Sequence, residues 1–400
     1  MVFDKNNILT LALNNELVCQ VVPSNSKLLY CRLTVKYGAL YDGTLPGKAH
    51  FLEHLLLEVN AGNRKTDKYF LGGATGFEQT TYTLICSNDT MNLYKAIDTL
   101  FGISIGSTIE NANVEKVRQD IIQEYVGFTN TLDSELFGRL VVDSNLHASL
   151  PIGHMESIKQ ITFEDVRGAF NEGYHRKSMR LFIVGADVTA CNHIKNYRNS
   201  PIGSIKNADS VRITEVDNKS VAEATESSQT SCDIFILSEK NNYSYIYTDL
   251  LDCLALTLIE ELIITQSKLK LTHDNISTSM VKYSHSHKYY RVTLLKDKLF
   301  TYGMPAFCLL DSLVLNNETL DIIGKILSAY TSELEKHDVS EYSILRHLSE
   351  CFVYGQPMYD NTDLLLQLFE IHPSDVLIYT KNILKSNKKF HYYLGEMERL

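Results

Sequence analysis

Residues 47–58 read "GKAHFLEHLLLE", which puts His50, Glu53 and His54 inside a run that is otherwise apolar. The apolar residues of "AHFLEHLLLEVN" recur at helical spacing with no interior Gly or Pro, so the stretch predicts an amphipathic helix. On a helix, residues four apart share a face one turn distant, so His50 and His54 can each aim a ring nitrogen at one cation, with Glu53 beside them.

This H-x-x-E-H order inverts the H-E-x-x-H of many zinc hydrolases and delivers the same parts: two imidazoles for Zn2+ and a carboxylate near bound water. A catalytic zinc keeps three protein ligands and one open position, so a third ligand must come from elsewhere. The candidate is Glu124 in "VEKVRQDIIQEYVGF", where Val117, Ile121, Glu124 and Phe128 fall on one helical stripe. A carboxylate among apolar neighbours needs a partner, and a metal would serve. Glu115 lies half a revolution away and should face water. Taken singly, two histidines can be a solvated face and Glu124 a helix-edge carboxylate bonded to Lys or Arg. His285-x-His287 reads as surface histidines.

Around this segment the chain alternates strands and helices. "ILTLALNNELVCQVVP" is two apolar runs around Asn14-Asn15, a hairpin pattern. "LLYCRLTVKYGALYDG" supplies a strand ending in turn residues, and "FEQTTYTLIC" a strand rich in β-branched and aromatic residues. "TFEDVRGAFNEGYHRKSMRLFIVGADV" opens on a Thr162 cap and a helix, then becomes a strand. The later segment "DVLIYTKNILKSNKKFHYYLGE" repeats its pattern without a gap: Asp165, Val166 and Gly185 fall on Asp375, Val376 and Gly395, 210 positions on. The place matching the histidine helix, around Glu260, has the apolar pattern but no histidine. These features imply two related α/β domains, 1–200 and 232–400, joined by the polar, aperiodic stretch 201–231.

The 400 residues carry a net charge of −10 with lysines and arginines scattered, which argues against nucleic acid or an anionic membrane as partner. Eight widely spaced cysteines without a C-x-x-C pair read as free thiols. No segment reaches the roughly 18 continuous apolar residues of a membrane span. Residues 1–18 have no basic region followed by an apolar stretch, so a cytoplasmic location is expected.

With these motifs in place, the chain resembles the inverted-motif zinc peptidases that include pitrilysin, insulin-degrading enzyme and the mitochondrial processing peptidase. "PGKAHFLEHLLLE" is similar to the family's zinc helix, and "DIIQE" ends at Glu124, 70 residues after His54, where the family places its third ligand. "GGATGFEQTTYTLIC" resembles the family's substrate strand, with Thr75, Glu78, Gln79, Thr80 and Tyr82 where that pattern expects them. The chain departs at Gly72 and Gly73, where relatives carry Asn and Ala, and at Val117, where relatives carry an additional glutamate. The resemblance implies an α+β fold of two similar domains with antiparallel-rich sheets packed by helices, together one half of a clam-shell peptidase. It implies Zn2+ held by His50, His54 and Glu124, with Glu53 as general base. It further implies a peptide bound along Gly72, Gly73, Ala74 and Thr75, and an Arg and Tyr contributed by the half without zinc. The nearest match for that pair here is Lys282 and Tyr289, so a second half-size subunit is expected to supply them. The expected activity is endopeptidase cleavage of short or unfolded peptides, including leader-peptide trimming, as the catalytic subunit of a dimer. The alternative is a non-catalytic peptide-binding or scaffolding subunit of such a pair.

Overall fold

In the computed structural model, which describes residues 3–13, 16–61, 69–107, 109–129, 150–186, 227–228, 231–238, 245–267, 271–282, 288–295, 310–336, 339–385 and 389–395, the opening apolar runs pair as the sequence predicts. Strands β1 (Leu9–Ala12) and β2 (Val18–Val22) are antiparallel, with Leu9 opposite Val21. Strand β3 (Leu28–Val35) follows, then helix α1 (Lys48–Ala61), the hairpin of β4 (Tyr69–Thr75) and β5 (Thr80–Ser87), and helices α2 (Thr90–Ser104) and α3 (Val114–Thr129). Helices α4 (Met155–Gln160) and α5 (Phe163–Gly173) lead into β6 (Met179–Val184). These strands form one sheet in the order β1-β2-β6-β3-β5-β4, in which only β2 and β6 run parallel. The histidine helix is therefore joined to the sheet's edge strand, β4.

The sequence of β3 shows how both faces of this sheet are covered. Leu29, Cys31, Leu33 and Val35 point to one side and are buried in a core with Phe51, Leu52 and Leu55 of α1, as the period-2 geometry of a strand requires. The intervening Tyr30, Arg32 and Thr34 point to the other side. There the sheet meets a helix from much later in the chain, Glu341–Tyr354, whose Ile344, Leu345, Leu348 and Phe352 are buried against Phe3, Val22, Phe182 and Val184. Thr34 and Ser349 share a hydrogen bond of 2.6 Å. The Arg32 guanidinium lies 5.3 Å over the Tyr342 ring, and Lys36 and Arg180 lie 4.5 and 4.7 Å over Phe352, contacts in which cations meet the electron-rich ring face. The first compact unit is accordingly Met1–Val221 together with Asp338–Met358; the sequence division gave 338–358 to the second domain.

The second unit, Ala222–His337 with Tyr359–Leu400, contains β7 (Ser227–Ser228), β8 (Ser231–Ser238), helix α6 (Tyr245–Gln266), β9 (Ile276–Lys282), β10 (Lys288–Leu295) and helix α7 (Asn317–Lys336). Counting Glu341–Tyr354 as α8, it continues with α9 (Asn361–Glu370), α10 (Pro373–Leu384) and β11 (Lys389–Gly395). Its sheet runs β7-β11-β8-β10-β9. Strand for strand this repeats the first sheet from β2 to β4, including the single parallel pair, here β7 with β11. The 210-residue repeat has a physical basis. Asp165 accepts from the Thr162 backbone N–H at 2.8 Å and Asp375 from that of His372 at 2.9 Å, so each caps the start of its helix. Val166 and Val376 are both fully buried. In α6 the apolar stripe from Leu250 to Ile263 fills the core, and the buried Asp252 is satisfied by Lys288 Nζ at 2.5 Å and the hydroxyls of Tyr290 and Tyr379 at 2.5 and 2.7 Å. No helix among the described residues is long and apolar enough to cross a membrane.

Candidate metal centre

Helix α1 begins where a loop carboxylate fixes it. Asp42 accepts from the backbone N–H groups of Gly47 and Ala49, both at 2.7 Å, satisfying donors that a helix start leaves without intrahelical partners. Gly47 has φ +94°, and a Cβ there would approach the Gly153 Cα to 2.9 Å, so the close pairing of these two loops requires glycine. From this start Ala49, Phe51, Leu52, Leu55 and Leu56 turn into the core, which leaves His50, His54 and Glu58 on a second stripe at four-residue spacing.

That stripe receives α3. Glu58 accepts from Lys116 Nζ at 2.9 Å and from the Asn113 backbone N–H at 3.0 Å, pinning the N-terminal turn of α3 one helical turn beyond His54. Arg118 of α3 donates to the carbonyls of Ile158 and Ile161 and stacks 5.3 Å from the Phe51 ring. Val117 and Ile121 are buried, so α3 is held with Glu124 over the histidines. Val117 packs in this core. Glu115 is exposed and bonded to Arg118 and Gln119 on the same helix, on the far side as predicted. The sequence reading missed Glu58, though the i, i+4, i+8 continuation from His50 was there to find.

The structure brings His50, His54 and Glu124 together. The two histidine Nε2 atoms are 3.1 Å apart, and Glu124 Oε2 lies 3.6 Å from His50 Nε2 and 3.3 Å from His54 Nε2. Zn–N bonds of about 2.0–2.1 Å in tetrahedral geometry put ligand atoms about 3.3–3.4 Å apart, so this triangle has the dimensions one such ion needs. Among the described residues, these are the three His, Cys, Asp or Glu side chains able to converge on one metal. Their electrostatics suit a cation. Burial and the adjacent His54 push the His50 imidazole down to about 4, which keeps it neutral and able to donate a lone pair. His54 is lowered by burial but raised overall by its hydrogen bond to Glu124 and by the charge of Glu53. The same bond holds the Glu124 carboxyl below its ordinary value. The His50 Nδ1 is buried and finds no partner among the described residues.

Glu53 stands beside this triangle, buried against β4. Its Oε2 accepts a 2.6 Å hydrogen bond from the Thr75 hydroxyl, and burial raises its carboxyl to about 7 against that bond. Opposite it is Gly73, where a Cβ would collide with Oε1 and sit 2.7 Å from the carboxyl carbon. Gly73 and Ala74 are exposed, and Gly72 and Thr75 partly so. Among the described residues, β5 is the one strand paired with β4. The β4–β5 turn is tied down by Ala39 and Leu40, whose N–H groups donate to the Gly76 and Phe77 carbonyls at 3.0 and 2.9 Å. In the second unit, Lys282 and Tyr289 fall on adjacent strands, opposite Lys288 and Val281; their side chains lie outside the described residues, as do His285 and His287.

The family described as insulinase (peptidase family M16) matches residues 21–157. An uncharacterized zinc protease of Bacillus subtilis, YmfH, is 28% identical over 191 residues, 43% of this chain and 44% of that protein. The beta subunit of the mitochondrial processing peptidase of Dictyostelium discoideum is 28% identical over 152 residues, covering 35% and 32%. The match thus spans less than half the length of these curated relatives. Among solved structures, the first half of the Escherichia coli periplasmic protease PqqL superimposes with a TM-score of 0.71 at 13% identity, covering 98% of this chain and 92% of that one. An inactive M16 peptidase domain from Pseudomonas fluorescens gives 0.65 at 14% identity, covering 96% and 97%; both likenesses show the fold. Residues 21–157 thus match the insulinase family of peptidases, M16, and the fold shared with M16 peptidase halves runs through both units.

Proposed function

We propose that this chain is a zinc-dependent endopeptidase in which His50, His54 and Glu124 hold the ion and Glu53 is the general base. The observation that carries the reading is the convergence of three ligand atoms at the spacing of one tetrahedral ion, beside a buried carboxylate. An ion held by these three side chains would lower the pKa of bound water towards about 7 and polarise a scissile carbonyl. Glu53 takes the proton of the attacking water and returns it to the leaving amine. Gly72, Gly73, Ala74 and Thr75, on a strand with one neighbour among the described residues, offer an edge on which a peptide adds as a further strand through main-chain hydrogen bonds.

Such an edge binds extended chains, so short or unfolded peptides are the proposed substrates, and leader-peptide trimming falls within this reading. The relatives that superimpose over their whole length are half-size units, which supports a second chain of similar length as partner, supplying the substrate-binding Arg and Tyr that Lys282 and Tyr289 match poorly. A non-catalytic, peptide-binding subunit is the competing reading. Glu53→Gln separates the two: it should retain zinc and lose cleavage of an unfolded peptide, and retained cleavage would remove Glu53 from the mechanism.

A further inference from the structure

We propose that Thr75 and Gly73 are the positioning residues of Glu53, so that the strand read above as a peptide edge also sets which oxygen of the base is used. This inference rests on the peptidase reading. A glutamate on a helix has three side-chain torsions, and a general base must be held within hydrogen-bond reach of one proton. In α1 the backbone fixes the Cα of Glu53; the orientation of the carboxylate comes from β4. The Thr75 hydroxyl donates to Oε2 at 2.6 Å, occupying that oxygen. Thr75 is itself placed, because it ends β4 opposite Thr80, and Thr80 Oγ1 donates to the Tyr37 carbonyl at 2.8 Å.

The other oxygen, Oε1, lies over Gly73, where a Cβ would occupy its position. Residues 73 and 75 are two apart on one strand and so present the same face, one supplying the donor and the other the space. Oε1 is then the atom that takes the proton from water, and it sits over the exposed residue on which an added peptide strand would pair.

The test uses the purified zinc-loaded chain with any similar-length chain that co-purifies, an unfolded peptide substrate, and chelator competition for zinc affinity. Thr75→Val should lower kcat at least tenfold with KM within about twofold and zinc affinity within about threefold of wild type. Thr75→Ser, which keeps the donor, should recover most of kcat. Gly73→Ala should lower kcat with the same zinc affinity, and combining it with Thr75→Val should cost less than the product of the two. A Thr75→Val enzyme with wild-type kcat, or a Thr75→Ser enzyme as impaired as Thr75→Val, overturns the positioning role while leaving Glu53-dependent cleavage standing. Zinc-loaded wild type without cleavage, or Glu53→Gln as active as wild type, overturns the peptidase reading, and the positioning role falls with it.

Discussion

His50 and His54 sit one helical turn apart, yet they differ in what surrounds them. His50 is buried and held neutral, whereas His54 leans on the Glu124 carboxylate. Spacing alone made the pair legible, because four residues on a helix fix a shared face. Glu124 was legible because it interrupts an apolar stripe. The contact between Thr75 and Glu53 was not, since it depends on how deeply α1 beds against β4, which no local pattern encodes. Glu53 gives a pH prediction at this scale. Its carboxyl titrates near 4.3 in an unfolded chain and is raised to about 7 in the fold, so the folded state holds that proton more tightly. Stability of metal-free protein therefore falls as pH rises from about 4.3 to about 7. Glu53→Gln should flatten this fall in urea titrations with chelator present; identical slopes for wild type and variant would show that the carboxyl is not raised.

The elements α1, α3 and β4 are positioned by groups that the H-x-x-E-H motif does not contain. Asp42 satisfies the first N–H groups of α1 from five and seven residues away, a separation that hides it from any helix-start signal. Asp42→Ala should cost about 1–2 kcal/mol in stability, by analogy with loss of a helix cap, measured by denaturant midpoints. The side of β3 bearing Arg32 and Thr34 is covered by a helix some 310 residues later in the chain, a partner of which an alternating strand gives no sign. Phe352, stacked by Lys36 and Arg180, anchors that helix. Phe352→Ala should cost about 3–5 kcal/mol, the usual range for truncating a buried phenylalanine, and a change below 1 kcal/mol would mean the helix is not held there.

At the scale of the whole molecule, the repeat was readable because capping and strand-end residues recur at a constant offset: Asp165 and Asp375 do the same work in both units. What the offset could not reveal is that α8 belongs with the first sheet, since a sequence repeat reports elements and not the face they cover. One unit keeps the histidines, and the other, around Glu260, does not. One metal per chain is therefore expected, held by the first unit and stabilising it by mass action. If a partner chain completes the site, active material should sediment at about twice the 45.4 kDa of the chain. The most direct measurement is the zinc content of purified protein by elemental analysis, for wild type, Glu53→Gln, His50→Ala, His54→Ala and Glu124→Gln. One zinc per chain in the first two, with strong depletion in the other three, is the predicted result. No zinc in folded wild type, or undiminished zinc in the three ligand variants, would contradict the convergence of these side chains on a single ion.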